Sequence, residues 1–267
     1  MNDISLNIYG QDLSEGGKQP VLIPFLTDDP AGKITVVIIP GGGYNHISLE
    51  KEGEAIAGAF NAMQVNAFVL DYRVPARRAD FLSDAVRAVQ YVRFHSENFG
   101  ISRNPLIVMG FSAGAHLALM EAQHWQEVHT GNDAAANESA RPDGLILGYP
   151  VVTFTEPYAH RGSRSYFLGP EDADDPKLWE YYSAEKHITA DFPPVFIWHC
   201  EGDDTVPVEN SRMLRDALQQ AGVDHRLITY PGGAHGIGLA PDDPVIKGWF
   251  PACVNWLRTQ VSQGERF

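Results

Sequence analysis

The residues with the strongest claim to chemistry lie in Val108-Met109-Gly110-Phe111-Ser112-Ala113-Gly114-Ala115-His116. Before them a short apolar run, residues 105–109, reads as a buried strand. After them an Ala-, Leu- and Met-rich stretch, residues 115–126, reads as a helix. Strand, G-x-S-x-G, helix is the pattern of a nucleophile elbow. The turn is tight enough to strain the serine backbone, and Gly110 and Gly114 remove side chains that would clash there. The Ser112 hydroxyl would then stand above a sheet edge at a helix N-terminus. A glycine-rich turn with an incidental serine would show the same five letters; the strand and helix on either side favour the nucleophile. Serine is weak at its ordinary pKa, so it needs a base, an acid that orients the base, and donors for an oxyanion.

The chain offers these parts in the order Ser, Asp, His, each after an apolar run that reads as a strand. Carboxylates occur in His199-Cys200-Glu201-Gly202-Asp203-Asp204-Thr205-Val206-Pro207. Asp203, three positions before Val206 in D-x-x-V-P, is the candidate orienting acid. Asp204 competes with it, and either could cap the helix that follows. The candidate base is His235, in Pro231-Gly232-Gly233-Ala234-His235-Gly236-Ile237-Gly238. Of ten histidines it alone follows the last strand between glycines. His199, at the end of a buried strand, and His116, in the first turn of the elbow helix, read as structural. Pro40-Gly41-Gly42-Gly43-Tyr44 follows another strand and suits close approach of backbone N–H groups to an oxyanion, with the Ala113 N–H as second contributor. The loop does not fit a phosphate-binding G-x-x-x-x-G-K-[ST], and His46 stands where a dinucleotide fingerprint needs glycine.

Alternating signals must position these loops. Strands are expected at residues 4–9, 21–25, 34–39, 67–70, 144–148, 195–199 and 226–230. Helices are expected at 50–62, 79–96, 208–221 and 244–259, the second with Phe81, Ala85, Ala88, Val89 and Val92 on one face. The expected fold is α/β: a mostly parallel twisted sheet flanked by helices, one domain over residues 1–267. Residues 151–194 break the rhythm and read as a small cap inserted over the catalytic face. Residues 130–142 read as an exposed loop. The 44% hydrophobic content suits a globular chain, and a net charge of -14 disfavours nucleic acid and anionic membranes as partners. Two cysteines, Cys200 and Cys253, are too few for a disulfide framework. The start Met1-Asn2-Asp3-Ile4-Ser5-Leu6 lacks a signal-peptide pattern and no run is long enough for a membrane span, so a cytoplasmic protein is expected. Trp249, Phe250 and Trp256 would be either the inner face of the last helix or an interface between copies in a homo-oligomer.

Together these segments resemble the α/β-hydrolase fold, and within it a bacterial esterase and acetylesterase group labelled xylanase-associated or feruloyl-esterase-like. The resemblance rests on Pro40-Gly-Gly-Gly-Tyr44, Lys51-Glu52-Gly53-Glu54, Leu70-Asp71-Tyr72-Arg73-Val74, Gly110-Phe-Ser-Ala-Gly114, Asp203-x-x-Val-Pro207 with Glu209-Asn210-Ser211, and Gly233-Ala-His-Gly236. It implies a triad of Ser112, Asp203 and His235, and oxyanion N–H groups from Gly42, Gly43 and Ala113. It also implies hydrolysis of short-chain, often acetyl, esters without metal or cofactor, an acetylated sugar among the candidate substrates. Pro40 and Phe111 depart from the hormone-sensitive-lipase branch, which has His and favours Asp at those places.

Tyr44, Phe111, Tyr166 and Phe167 are bulky enough to narrow an acyl pocket. The triad order also resembles a serine peptidase of the oligopeptidase type, for which Arg161 and Arg164 could anchor a substrate carboxylate. A non-catalytic binder on the same scaffold would ordinarily lack the Ser or the His.

Overall fold

The computed structural model describes residues 4–10 and 18–263. The outer ends of the expected domain, including Met1, Asn2 and Asp3 of the N-terminal reading, lie outside them. In chain order the elements are β1 (Leu6–Asn7), β2 (Val21–Phe25), β3 (Thr35–Ile39), α1 (Ala55–Ala62), β4 (Asn66–Asp71), α2 (Arg78–Phe94), α3 (Ser96–Phe99), β5 (Leu106–Phe111), α4 (Ala113–His124), β6 (Gly144–Gly148), α5 (Arg161–Leu168), α6 (Pro176–Tyr181), β7 (Val195–Cys200), α7 (Glu209–Ala221), β8 (His225–Tyr230) and α8 (Trp249–Gln263). The strands form one sheet in the order β1-β2-β4-β3-β5-β6-β7-β8. The β1–β2 and β2–β4 pairs are antiparallel; all others are parallel. This is the α/β-hydrolase arrangement expected from the motifs.

The central strands lack polar alternation because both faces are covered. Successive side chains still point to opposite layers. Val37, Leu106, Val108, Leu145 and Ile197 pack with Phe81, Val89, Leu117 and Leu214 of α2, α4 and α7. Val36, Ile107, Met109, Ile146 and Phe196 pack with Ile56, Phe60, Trp249 and Leu257 of α1 and α8. Trp249 and Trp256 are therefore buried and Phe250 packs against the same layer, so they form the inner face of the last helix. Cys200 and Cys253 are buried and free. No helix among the described residues is long and apolar enough to cross a membrane.

Several expected elements take a different form; the helix expected at 244–259, for one, runs from Trp249 to Gln263 after a single tight turn at Ile246–Gly248. Only Leu6–Asn7 of residues 4–9 pairs as strand, because the Asn7 side chain accepts the Tyr9 and Gly10 N–H groups and turns the chain. The helix expected from residue 50 begins as a wide π-helical turn, Leu49–Glu54, before α1. Residues 130–142 are pinned to α2: Arg87 pairs with Asp133, Gln90 donates to the Ala136 and Glu138 carbonyls, and Arg93 donates to Ser139 O. Residues 151–194 hold α5 and α6, and Phe154, Phe167, Leu168, Tyr182 and Ala184 join them to the α2–α4 layer.

The end of β4 anchors the loops above it. Tyr72 O–H donates to Pro40 O at 3.1 Å. Arg73 reaches the fully buried Asp84 carboxylate with Nη2 at 2.6 Å and Nε at 3.0 Å. Removing the guanidinium would strand a buried charge. Arg73→Leu is expected to lower unfolding stability by about 3–5 kcal/mol, read by urea denaturation, and adding Asp84→Leu should recover part of the loss. Equal stabilities of wild type and single variant would contradict this.

Candidate active site

The elbow is built from the backbone outward. Ser112 follows β5 with φ 52° and ψ −120°, a region that L-residues adopt only under constraint. Its N–H donates to Gly148 O at 3.0 Å, and its carbonyl accepts the Val151 N–H at 3.1 Å. A Cβ on Gly114 would lie 2.2 Å from Ile39 O, and one on Gly110 would lie 2.3 Å from Gly114 O. The strand, the helix and the end of β3 meet closely only because both residues are glycine.

Ser112 Oγ lies 2.8 Å from His235 Nε2, and His235 Nδ1 lies 2.7 Å from Asp203 Oδ2. The Asp203 carboxylate only accepts, so Nδ1 carries the proton and Nε2 is free to accept the serine hydroxyl. Asp203 Oδ1 accepts the Thr205 and Val206 N–H groups at 3.0 and 2.9 Å. This explains the D-x-x-V spacing: the carboxylate folds its own loop while its other oxygen faces the imidazole. Burial alone would raise the Asp203 pKa, but hydrogen bonds from His199 and His235 and the His235 charge hold it well below the usual carboxylate range. Asp204 is exposed and meets Thr205 Oγ1. The Asp203 and His235 loops extend β7 and β8, with Gly202 N–H donating to Gly232 O at 2.9 Å.

The other two candidate histidines keep their Nε2 proton on carbonyls, although His199 Nε2 also lies 3.3 Å from Asp203 Oδ2. His199 Nε2 donates to Val206 O at 2.9 Å and its Nδ1 accepts from Ser211 Oγ. His116 Nε2 donates to Tyr182 O at 2.9 Å, so its Nδ1 accepts the Tyr44 hydroxyl at 2.8 Å.

The glycine loop crosses directly over Ser112. A Cβ on Gly41 would lie 2.9 Å from Ser112 Cβ. Gly42 and Gly43 have φ of 131° and 64°, which glycine adopts without strain. Both line a cleft of about 410 Å³ with Asn45, Ser48, Glu52, Ser112, His160, Tyr166, Thr205 and His235. Ala113 opens α4 at the same serine. Backbone N–H groups on both sides of the hydroxyl can meet developing negative charge.

Of the four bulky residues expected at the pocket, only Tyr166 lines the cleft, and it is 52% exposed. Tyr44 and Phe167 are buried in the α2–α4 layer, where their ring centroids are 5.0 Å apart. Phe111 points through the sheet to Tyr149 and Trp249. Arg161 and Arg164 both pair with Glu156, and neither lines the cleft. Three other residues reach the cleft or abut it without having been singled out by type. His160 caps α5: its Nδ1 accepts the Ser163 N–H, leaving any ring proton on Nε2. Burial and the His235 charge lower the His160 pKa. Glu52, whose motif Lys51-Glu52-Gly53-Glu54 does stand out in the sequence, is 3% exposed; one oxygen accepts Gly41 N–H at 2.9 Å and the other Tyr149 O–H at 2.7 Å. The Tyr149 ring stands edge-on to His235, centroids 4.9 Å apart.

Comparison with known proteins yields relatives across most of the chain. The BD-FAE family profile matches residues 25–218. Endo-1,4-beta-xylanase B of Butyrivibrio fibrisolvens is 37% identical over 249 residues, 91% of this chain and 38% of that protein. Acetylxylan esterase of Xylanibacter ruminicola is 33% identical over 251 residues, 93% of this chain and 50% of that protein. The chain thus spans half or less of these two relatives. The crystal structure of an acetyl ester-xyloside bifunctional hydrolase from Caldicellulosiruptor lactoaceticus superposes with a TM-score of 0.87 at 33% identity, covering 96% of each chain.

His116 gives the elbow helix a pH signature. Burial lowers its pKa from 6.5 to about 4. The folded state refuses a proton that the unfolded chain takes, so this stability is complete above pH 6.5 and is lost as pH falls towards about 4. Between pH 7 and pH 5, urea unfolding of the wild type should lose about 2 kcal/mol more than that of His116→Gln. Parallel losses in the two proteins would contradict the assignment.

Proposed function

The chain belongs to the BD-FAE family of the α/β-hydrolases, and on that premise we propose that it is a serine carboxylic ester hydrolase. It removes short acyl groups, acetyl foremost, from a hydroxylic substrate such as an acetylated sugar. The hydrogen-bonded line Ser112–His235–Asp203 at the floor of a cleft carries this reading.

In this mechanism His235 Nε2 takes the Ser112 proton as Oγ attacks the ester carbonyl. The oxyanion is met by the N–H groups of Gly42, Gly43 and Ala113. His235 then protonates the departing alcohol, and water, deprotonated by the same imidazole, cleaves the acyl-enzyme. Asp203 holds the tautomer that this sequence needs and stabilises the imidazolium. The half-open cleft has polar walls in Asn45, Ser48, His160 and Thr205 and one exposed ring in Tyr166. The names of the xylan-related relatives favour an acetylated polyol as substrate. The peptidase reading gains no support, since Arg161 and Arg164 are already paired with Glu156.

The test is turnover of p-nitrophenyl esters and of acetylated xylo-oligosaccharides. Acetate should turn over well and octanoate poorly. Ser112→Ala should cost about 10⁶-fold in kcat and Asp203→Asn about 10⁴-fold. Activity that survives in Ser112→Ala, or faster cleavage of aminoacyl amides than of acetate, would overturn the proposal.

A further inference from the structure

Glu52 carries a buried carboxylate that the acyl-transfer steps do not use. Both of its oxygens are engaged by donors, Gly41 N–H and Tyr149 O–H. The Tyr149 oxygen in turn accepts the Gly238 N–H at 3.1 Å. Gly238 N–H donates to that oxygen, so the phenolic proton points at the ionised Glu52 carboxylate. The direction of every hydrogen bond in the line Gly41–Glu52–Tyr149–Gly238 is thereby set.

The line joins two loops distant in sequence. At one end is the glycine loop, residues 40–44, pressed so tightly between Glu52 and Ser112 that a Cβ on Gly41 would lie 2.8 Å from Glu52 Oε2. At the other is the loop that carries His235. Its far side is held by Trp249 Nε1, which donates to Gly238 O at 3.0 Å, and Tyr149 is itself fixed by its N–H to Trp198 O at 2.8 Å. The π-helical turn Leu49–Glu54 swings Glu52 inward to this junction, and Gly53 makes that possible: a Cβ there would lie 2.7 Å from Val69 Cγ1. Single π turns inside helices are frequently found at functional sites.

A carboxylate is costly to bury, and an apolar side chain would fill the same space without that cost. What only a carboxylate supplies is a junction that accepts on both oxygens. A glutamine amide accepts on one side and presents N–H groups to a donor on the other. The geometry points to Glu52, acting through Tyr149, as a positioning residue that holds the oxyanion loop and the His235 loop in register over Ser112. This rests on the ester-hydrolase reading above.

The experiment compares wild type, Glu52→Gln, Tyr149→Phe and the double variant on p-nitrophenyl acetate, with circular dichroism recording the folded fraction. Misplacement of reacting groups by about 1 Å costs about 100-fold. The expected result for each single variant is therefore a 10- to 100-fold fall in kcat (about the lower to full size of that effect), with KM changed less than about threefold. The rate of Ser112 phosphonylation by a fluorophosphonate should fall in parallel. Because both substitutions cut one line, the double variant should be no worse than the weaker single. Unchanged kcat in folded Glu52→Gln and Tyr149→Phe, with only melting temperature lowered, overturns the inference and leaves the function intact. Fully additive losses overturn it too. Absence of esterase activity in wild type, or its survival in Ser112→Ala, sinks the parent reading instead. If Glu52→Gln fails to fold, Tyr149→Phe carries the same expectations alone.

Discussion

The backbone of Ser112 is the constraint on which the site depends. A non-glycine residue at φ 52° and ψ −120° costs of order 1–3 kcal/mol and persists only if its surroundings leave no alternative. Here the surroundings are three adjacent parallel strands. Ile39 sits beside Gly110 and Phe111 beside Gly148 in the sheet register. That register brings Gly114 against the carbonyl of Ile39 and gives the Ser112 amide its acceptor in Gly148. A slip in either pairing would remove the acceptor or open a gap beneath the helix. The placement of the Ser112 hydroxyl is thus a property of the whole central sheet, and the buried apolar layers on its two faces hold that sheet in place.

The second constraint is the assignment of protons among three imidazoles. His116, His199 and His235 each offer the same two nitrogens. Carbonyl acceptors at Tyr182 and Val206 hold a proton on Nε2 of the first two. Only His235 has a carboxylate at Nδ1, which frees Nε2 for Ser112. One hydrogen-bond partner separates the imidazole whose Nε2 is free to accept from two whose Nε2 carries the proton.

Much of this was legible from residue type and spacing. Gly110 and Gly114 announce a turn where nothing larger fits, and the structure supplies the backbone atoms that a Cβ would strike. The interval from Asp203 to Val206 is that of a carboxylate bonding its own loop, which Asp204 cannot imitate from its exposed place. Direction was less legible. Tyr44, Phe111 and Phe167 have the bulk to shape a pocket, but ring size does not tell which way a side chain points, and all three point into the core. Glu52 was legible only as part of a motif: its type and spacing do not give its direction, and the π turn directs it inward. The polar stretch 130–142 looked loose because its partners, Arg87, Gln90 and Arg93, lie on a helix some forty residues earlier.

The most direct test of the account is a crystal structure of the chain after reaction with a small fluorophosphonate. The account predicts a covalent bond from phosphorus to Ser112 Oγ, with the phosphoryl oxygen within hydrogen-bonding distance of the Gly42, Gly43 and Ala113 amides and His235 still bonded to Asp203. An adduct on any other serine, or a phosphoryl oxygen turned to solvent with the glycine loop unengaged, would contradict it.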